Sequence, residues 1–181
     1  MIIDRDRSML LVLDLQEKMV PAIHDYEEVV ANATWLVRAA QKFGVPVGAT
    51  EQYAKGLGPT IPKVRALLPE AAIAAKKRFS CAAAQCIAAL PGSDRAQFIL
   101  TGVETHVCVL QSALELVEEG KEVYVVADAV GSRRVFDRDM ALGRMAREGV
   151  HIVTREMVVF EWLVEADTPL FRTISKEFFR T

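Results

Sequence analysis

The stretch AQFILTGVETHVCVLQSALELVEEG (residues 96–120) changes periodicity within a single turn. Its first part, Ala96 to Gly102, is a short apolar run of strand length, and unbroken apolarity suits a strand covered on both faces. From Thr105 the apolar residues recur along one helical face as far as Gly120, which closes the helix. A buried strand feeding a helix is half of a parallel crossover unit, and the same alternation continues in both directions.

Toward the N-terminus, SMLLVLDLQ (8–16) is a strand with a carboxylate, Asp14, near its end. Residues 27–43 form a helix, with Val30, Ala33, Val37, Ala40 and Phe43 at helical spacing and Gly44 as its stop. VPVGATEQ (45–52) is a second strand. Residues 53–70, YAKGLGPTIPKVRALLPE, are punctuated by glycine and proline, and a stretch that long with little regular structure is either a working lid or disorder. AAIAAKKRFS (71–80) reads as a weakly patterned strand, and CAAAQCIAAL (81–90) as a short helix ended by Pro91 and Gly92. Toward the C-terminus, KEVYVVADAV (121–130) is a strand carrying Asp128, RDMALGRMAREG (138–149) a helix and VHIVT (150–154) a last strand; the remainder is mostly helical. Strands alternating with helices predict an α/β fold, a parallel sheet with helices on both faces and right-handed crossovers. At 181 residues the chain is expected to form a single domain, 1–181.

Composition excludes more than it indicates. A 51% hydrophobic and 25% charged content is that of a globular chain, which argues against disorder. A net charge of -2 without long runs of either sign gives no electrostatic footprint for nucleic acid, so no nucleic-acid partner is expected. No apolar run is long enough to cross a bilayer, and MIIDRDRSML does not resemble a secretion signal. The three cysteines, at 81, 86 and 108, match neither a zinc site nor a disulfide framework. The expected setting is a reducing cytoplasm.

Ligands of open parallel sheets bind at the carboxyl ends of the strands. Asp14, the Glu51 region, Lys76, Cys108 and Asp128 all fall at or just after such ends. Cys108 is the candidate nucleophile: Thr105 is a plausible N-cap, and a helix N-terminus favours the thiolate and offers N–H groups to a developing oxyanion. The alternative is a small buried hydrophobe. Of the three histidines, His106 points to another face from Cys108, His151 opens a strand at its far end, and His24 lies in a loop after the first strand. A Cys–His pair is therefore weakly supported. Asp14 is the better base, since a carboxylate ending an apolar strand is partly desolvated. Lys76 or Lys77 could reach it and favour the thiolate. Asp128 reads as a turn cap, Ser132 and its neighbouring arginines as turn and surface residues, and Cys81 and Cys86 as core filler.

Four blocks, LLVLDLQ, KKRFS, TGVETHVCV and VYVVADAVGSR, resemble the isochorismatase-like cysteine hydrolase family in order and separation, from about residue 8 to about residue 165. TEQYAKGLGPT resembles the segment after the second strand in its small isochorismatase-domain proteins. The resemblance implies a three-layer α/β/α, Rossmann-like fold with a six-stranded parallel sheet in the order 3-2-1-4-5-6. It implies an Asp14, Lys76 and Cys108 triad, Lys76 being preferred because the family lysine stands three residues before an aromatic, here Phe79, followed by serine. It also implies a non-proline cis peptide between Val103 and Glu104, and oxyanion or substrate contacts from Val103, Glu104, Thr105, Gln16, Glu51 and Tyr53. EQYAKGLG lacks the histidines of metal-binding relatives, so no metal and no cofactor are expected. The implied activity is hydrolysis of a small amide or related carbonyl compound through an acyl-enzyme; the alternative is a catalytically silent binding protein. The apolar late residues MVVFEWLVEADTPLFRTI exceed what one small core needs and predict a homo-oligomer.

Overall fold

The computed structural model describes residues 1–179. Six parallel strands form one sheet in the order β3-β2-β1-β4-β5-β6, as the family resemblance implies. The central β1 (Ser8–Leu13) pairs with β2 (Val47–Gln52) on one side and β4 (Gln97–Val103) on the other. β3 (Ile73–Lys76) and β6 (His151–Val153) are the edges, and β5 (Glu122–Gly131) lies between β4 and β6.

Alternation along the strands divides the core. Leu10, Val12 and Ile99 join an apolar cluster with α1 (Tyr26–Phe43) and α6 (Arg155–Leu163), whereas Met9, Leu11, Leu13, Phe98 and Leu100 meet α4 (Leu110–Glu118) and α5 (Val135–Arg147). Each such side chain contributes about 1.5–3 kcal/mol on burial, which explains why β1 is apolar from Met9 to Leu13. The late apolar residues belong largely to this chain's own core. Val158, Val159, Trp162 and Ile174 of α6 and α7 (Pro169–Ile174) are fully buried, and Phe178 and Phe179 pack edge-on against Trp35. The surplus that suggested an oligomer is therefore mostly accounted for within one chain.

Two local expectations are corrected. Residues 81–96 form successive turns and not a helix. Gln85 adopts left-handed backbone at φ 52°, which interrupts a helix in mid-segment, while Cys81 N donates to Ser112 Oγ at 3.0 Å and Ala83 N to Glu115 Oε2 at 3.0 Å, tying the turns to α4. Residues 53–70 contain two single helical turns, α2 (Ala54–Leu57) and α3 (Pro62–Arg65), and are strapped to the sheet. Glu51 accepts from Thr60 N at 2.7 Å, Thr60 Oγ1 at 2.8 Å and Arg65 Nη1 at 3.1 Å. Substituting Glu51 with alanine strands buried donors, and we expect a stability loss of about 1–3 kcal/mol. A lower urea midpoint, with faster proteolysis confined to 53–70, checks this; unchanged cleavage would show that the strap is held elsewhere.

One glycine governs the centre of the sheet. Gly102 has φ +114°, and a Cβ there would lie 2.0 Å from the Leu13 carbonyl oxygen. Only glycine lets β4 approach the point where the chain leaves β1 for Asp14. Among the described residues no helix is long and apolar enough to cross a membrane.

Candidate active site

The carboxyl ends of β1, β3 and β4 converge on three side chains. Asp14, immediately past β1, adopts left-handed backbone at φ 52° and is fully buried. Its Oδ1 accepts from Thr50 Oγ1 at 2.6 Å and its Oδ2 from Lys76 Nζ at 2.7 Å. Both side chains of this ion pair have zero exposure. Lys76 ends β3 with its side chain turned inward, while Lys77 is exposed, so strand alternation resolves the choice between them in favour of Lys76. The ammonium also donates to Gln52 Oε1 at 2.7 Å and to the Phe79 carbonyl at 2.8 Å.

Cys108 approaches this pair from a wide π-type turn, Thr105–Val109, that leads into α4. It is 3% exposed, and its thiol lies within electrostatic reach of both Asp14 and Lys76. Burial pushes the thiol well above the ordinary cysteine range, Asp14 pushes it further, and Lys76 opposes both. The helix-end effect expected from sequence is outweighed by desolvation, which together with the nearby Asp14 carboxylate favours the neutral thiol.

The peptide between Val103 and Glu104 is cis. Glu104 turns its carboxylate outward to Arg133, whose Nε lies at 3.0 Å. Thr105 is buried, but its Oγ1 has no hydrogen-bond partner among the described residues, so it does not act as the cap expected of it. Gln16 holds protein backbone at both ends: Oε1 accepts from Gln52 N at 2.7 Å, and Nε2 donates to the carbonyls of Gln52 at 3.0 Å and Gly58 at 2.7 Å. With Glu51 tied to the strap, both residues brace the site from behind. Tyr53, 56% exposed, is tied to the Lys76 end of the site by its N–H, which donates to the Lys76 carbonyl at 2.8 Å.

The histidines have other partners. His106 Nδ1 lies 3.0 Å from Ser132 Oγ, His24 Nδ1 lies 3.0 Å from Asp25 Oδ2, and His151 stacks on Tyr124. Ser132 is buried, not the surface residue expected. Asp128 secures α6 by accepting from Arg155 N at 2.9 Å. Cys81 is buried, and desolvation pushes its thiol up to about 12; Cys86 is half-buried and also raised by burial. Both feel the charges of Asp14 and Lys76, a proximity that linear spacing did not reveal. Gln52 was missed by sequence reasoning; its one signal was a second polar residue beside Glu51 at the end of β2.

A model of the isochorismatase domain matches residues 8–157. The chain is 40% identical over 172 residues to isochorismatase domain-containing protein 2 of Danio rerio, an alignment spanning 93% of this chain and 85% of that protein. Among solved structures it resembles the MAR1 ribonuclease of Caenorhabditis elegans, with a TM-score of 0.88 and 34% identity over 100% of this chain and 94% of that one. It is also similar to the Escherichia coli YcaC gene product, described as an octameric hydrolase of unknown specificity, with a TM-score of 0.89 and 26% identity over 98% and 91% of the two chains.

Proposed function

We propose that this chain, which belongs to the isochorismatase family, is a cysteine hydrolase acting on a small amide or related carbonyl compound. The observation that carries the proposal is a fully buried carboxylate–ammonium pair with a buried thiol close enough to feel both charges. A neutral thiol beside a carboxylate is suited to proton transfer during attack, not to a standing thiolate. The Cys108 S–H proton passes to Asp14 as sulfur bonds to the carbonyl carbon. Lys76 contributes fixed positive charge beside the sulfur, and the N–H groups of Glu104 and Cys108 receive the oxyanion. Asp14 then protonates the leaving nitrogen as the C–N bond breaks, leaving a thioester. Water gives one proton to Asp14, its oxygen displaces sulfur, and the proton returns to the thiol.

No metal or cofactor enters this scheme. Val103, Thr105 and Tyr53 complete the substrate surroundings in this reading. A homo-oligomer is part of it, supported by the octameric E. coli neighbour and by exposed Val135, Phe136 and Met140 on α5. A monomer by light scattering would contradict that part. The three free thiols suit a reducing cytoplasm. A silent binding protein is not favoured, because binding alone has no need of a buried ion pair against a thiol.

The test is a panel of small amides and one RNA oligonucleotide, each assayed with the native protein and Cys108→Ala. Amide turnover lost in the variant supports the proposal. RNA turnover that survives the substitution, with no amide hydrolysed, overturns it. The thiol makes a separate prediction: because it is protonated at neutral pH, iodoacetamide modification of Cys108 should rise about tenfold per pH unit from pH 7 to 9. A rate already level at pH 7 would mean that the sulfur rests as thiolate.

A further inference from the structure

We propose that Gln52 is a positioning residue, a neutral acceptor that fixes the Lys76 ammonium against Asp14 and Cys108 without cancelling its charge; this rests on the hydrolase reading above. An ammonium has three protons to donate. Lys76 directs them to Asp14 Oδ2 at 2.7 Å, Gln52 Oε1 at 2.7 Å and the Phe79 carbonyl at 2.8 Å, with the Arg78 carbonyl more distant at 3.4 Å. Its capacity is filled, so what it offers the reacting sulfur is charge. Asp14 balances that charge once. A second carboxylate at position 52 would leave the pocket with a net negative charge just where sulfur must become anionic.

The carboxamide is itself held in one orientation. Gln52 Nε2 donates to the Lys77 carbonyl at 2.7 Å, so the amide holds both the Lys76 ammonium and the backbone just after it. A flipped amide would place NH2 against NH3+. Gln16 brackets the Gln52 backbone through both its N–H and its carbonyl, which ties the end of β2 to the segment leaving Asp14. Tyr53 N donates to the Lys76 carbonyl at 2.8 Å and completes the register. The titratable groups facing Lys76 are Asp14 from β1, Cys108 from the turn after β4, and Cys81 and Cys86 from the loop after β3. Glu51, on the opposite strand face, pairs with Arg65.

The experiment is iodoacetamide modification of the full chain from pH 7 to 9, with the Cys108 peptide followed by mass, for native protein and Gln52→Glu. Gln52→Glu keeps the shape and adds charge. We expect the Cys108 rate to fall roughly tenfold at each pH, equivalent to raising the thiol by about one unit, while circular dichroism stays native. A structural role alone would change the melting temperature and leave this rate where it was. Should Gln52→Glu not fold, Gln52→Met removes the acceptor at similar volume and is expected to slow modification several-fold. Native rates in either folded variant overturn the assignment. Failure of the hydrolase reading is distinguishable: the native protein would turn over no amide even though the two modification rates differ as expected.

Discussion

Cys108→Ala is expected to reduce hydrolysis by at least roughly a thousandfold, with the fold intact. Removing a nucleophile that acts jointly with its base typically abolishes nearly all catalysis beyond binding. Asp14 and Lys76 would remain paired to each other in the variant, because their 2.7 Å contact does not pass through the sulfur. Alanine leaves only a small void at a site 3% exposed, so stability should change by about 1 kcal/mol. Activity and stability therefore separate. Turnover assays paired with thermal melts check both, and a variant within tenfold of native turnover would remove sulfur from the mechanism.

Lys76→Met carries the largest expected stability loss. The substitution leaves the Asp14 carboxylate fully buried with only the Thr50 hydroxyl donating to it. Removing one partner of a buried ion pair costs about 3–5 kcal/mol, because the other charge is stranded away from water. Gln52 and the Phe79 carbonyl lose their donor in the same step. The double variant Asp14→Asn with Lys76→Met, which carries neither charge, should recover much of that loss while remaining inactive. Chemical denaturation of the single and double variants measures the coupling. A single variant as stable as the native protein would mean that water reaches the pair.

The strand–helix alternation was legible because each signal is local. β1 is apolar at every position after Ser8, α1 repeats its apolar face and stops at Gly44, and Gly120 follows α4. The convergence of Asp14, Lys76 and Cys108 could be anticipated because parallel topology gathers strand ends on one rim. What remained hidden depends on contacts between distant segments. The alanine-rich 81–90 looks helical, but Gln85 turns to left-handed backbone and the segment is tied down by Ser112 and Glu115 of α4. Gln16 looks free to bind substrate until Gln52 and Gly58 are placed across from it. The direction of the Cys108 shift was beyond sequence for a similar reason: a helix end is visible in the chain, but the degree of desolvation is a property of the packed molecule.

The most direct measurement is intact mass spectrometry of the protein quenched in acid during turnover of an amide found in the panel. The account predicts a species heavier by the acyl group, the addition mapping to the Cys108 peptide and absent from Cys108→Ala. Steady turnover with no adduct at any quench time, or an adduct on Cys81 or Cys86 instead, would contradict it.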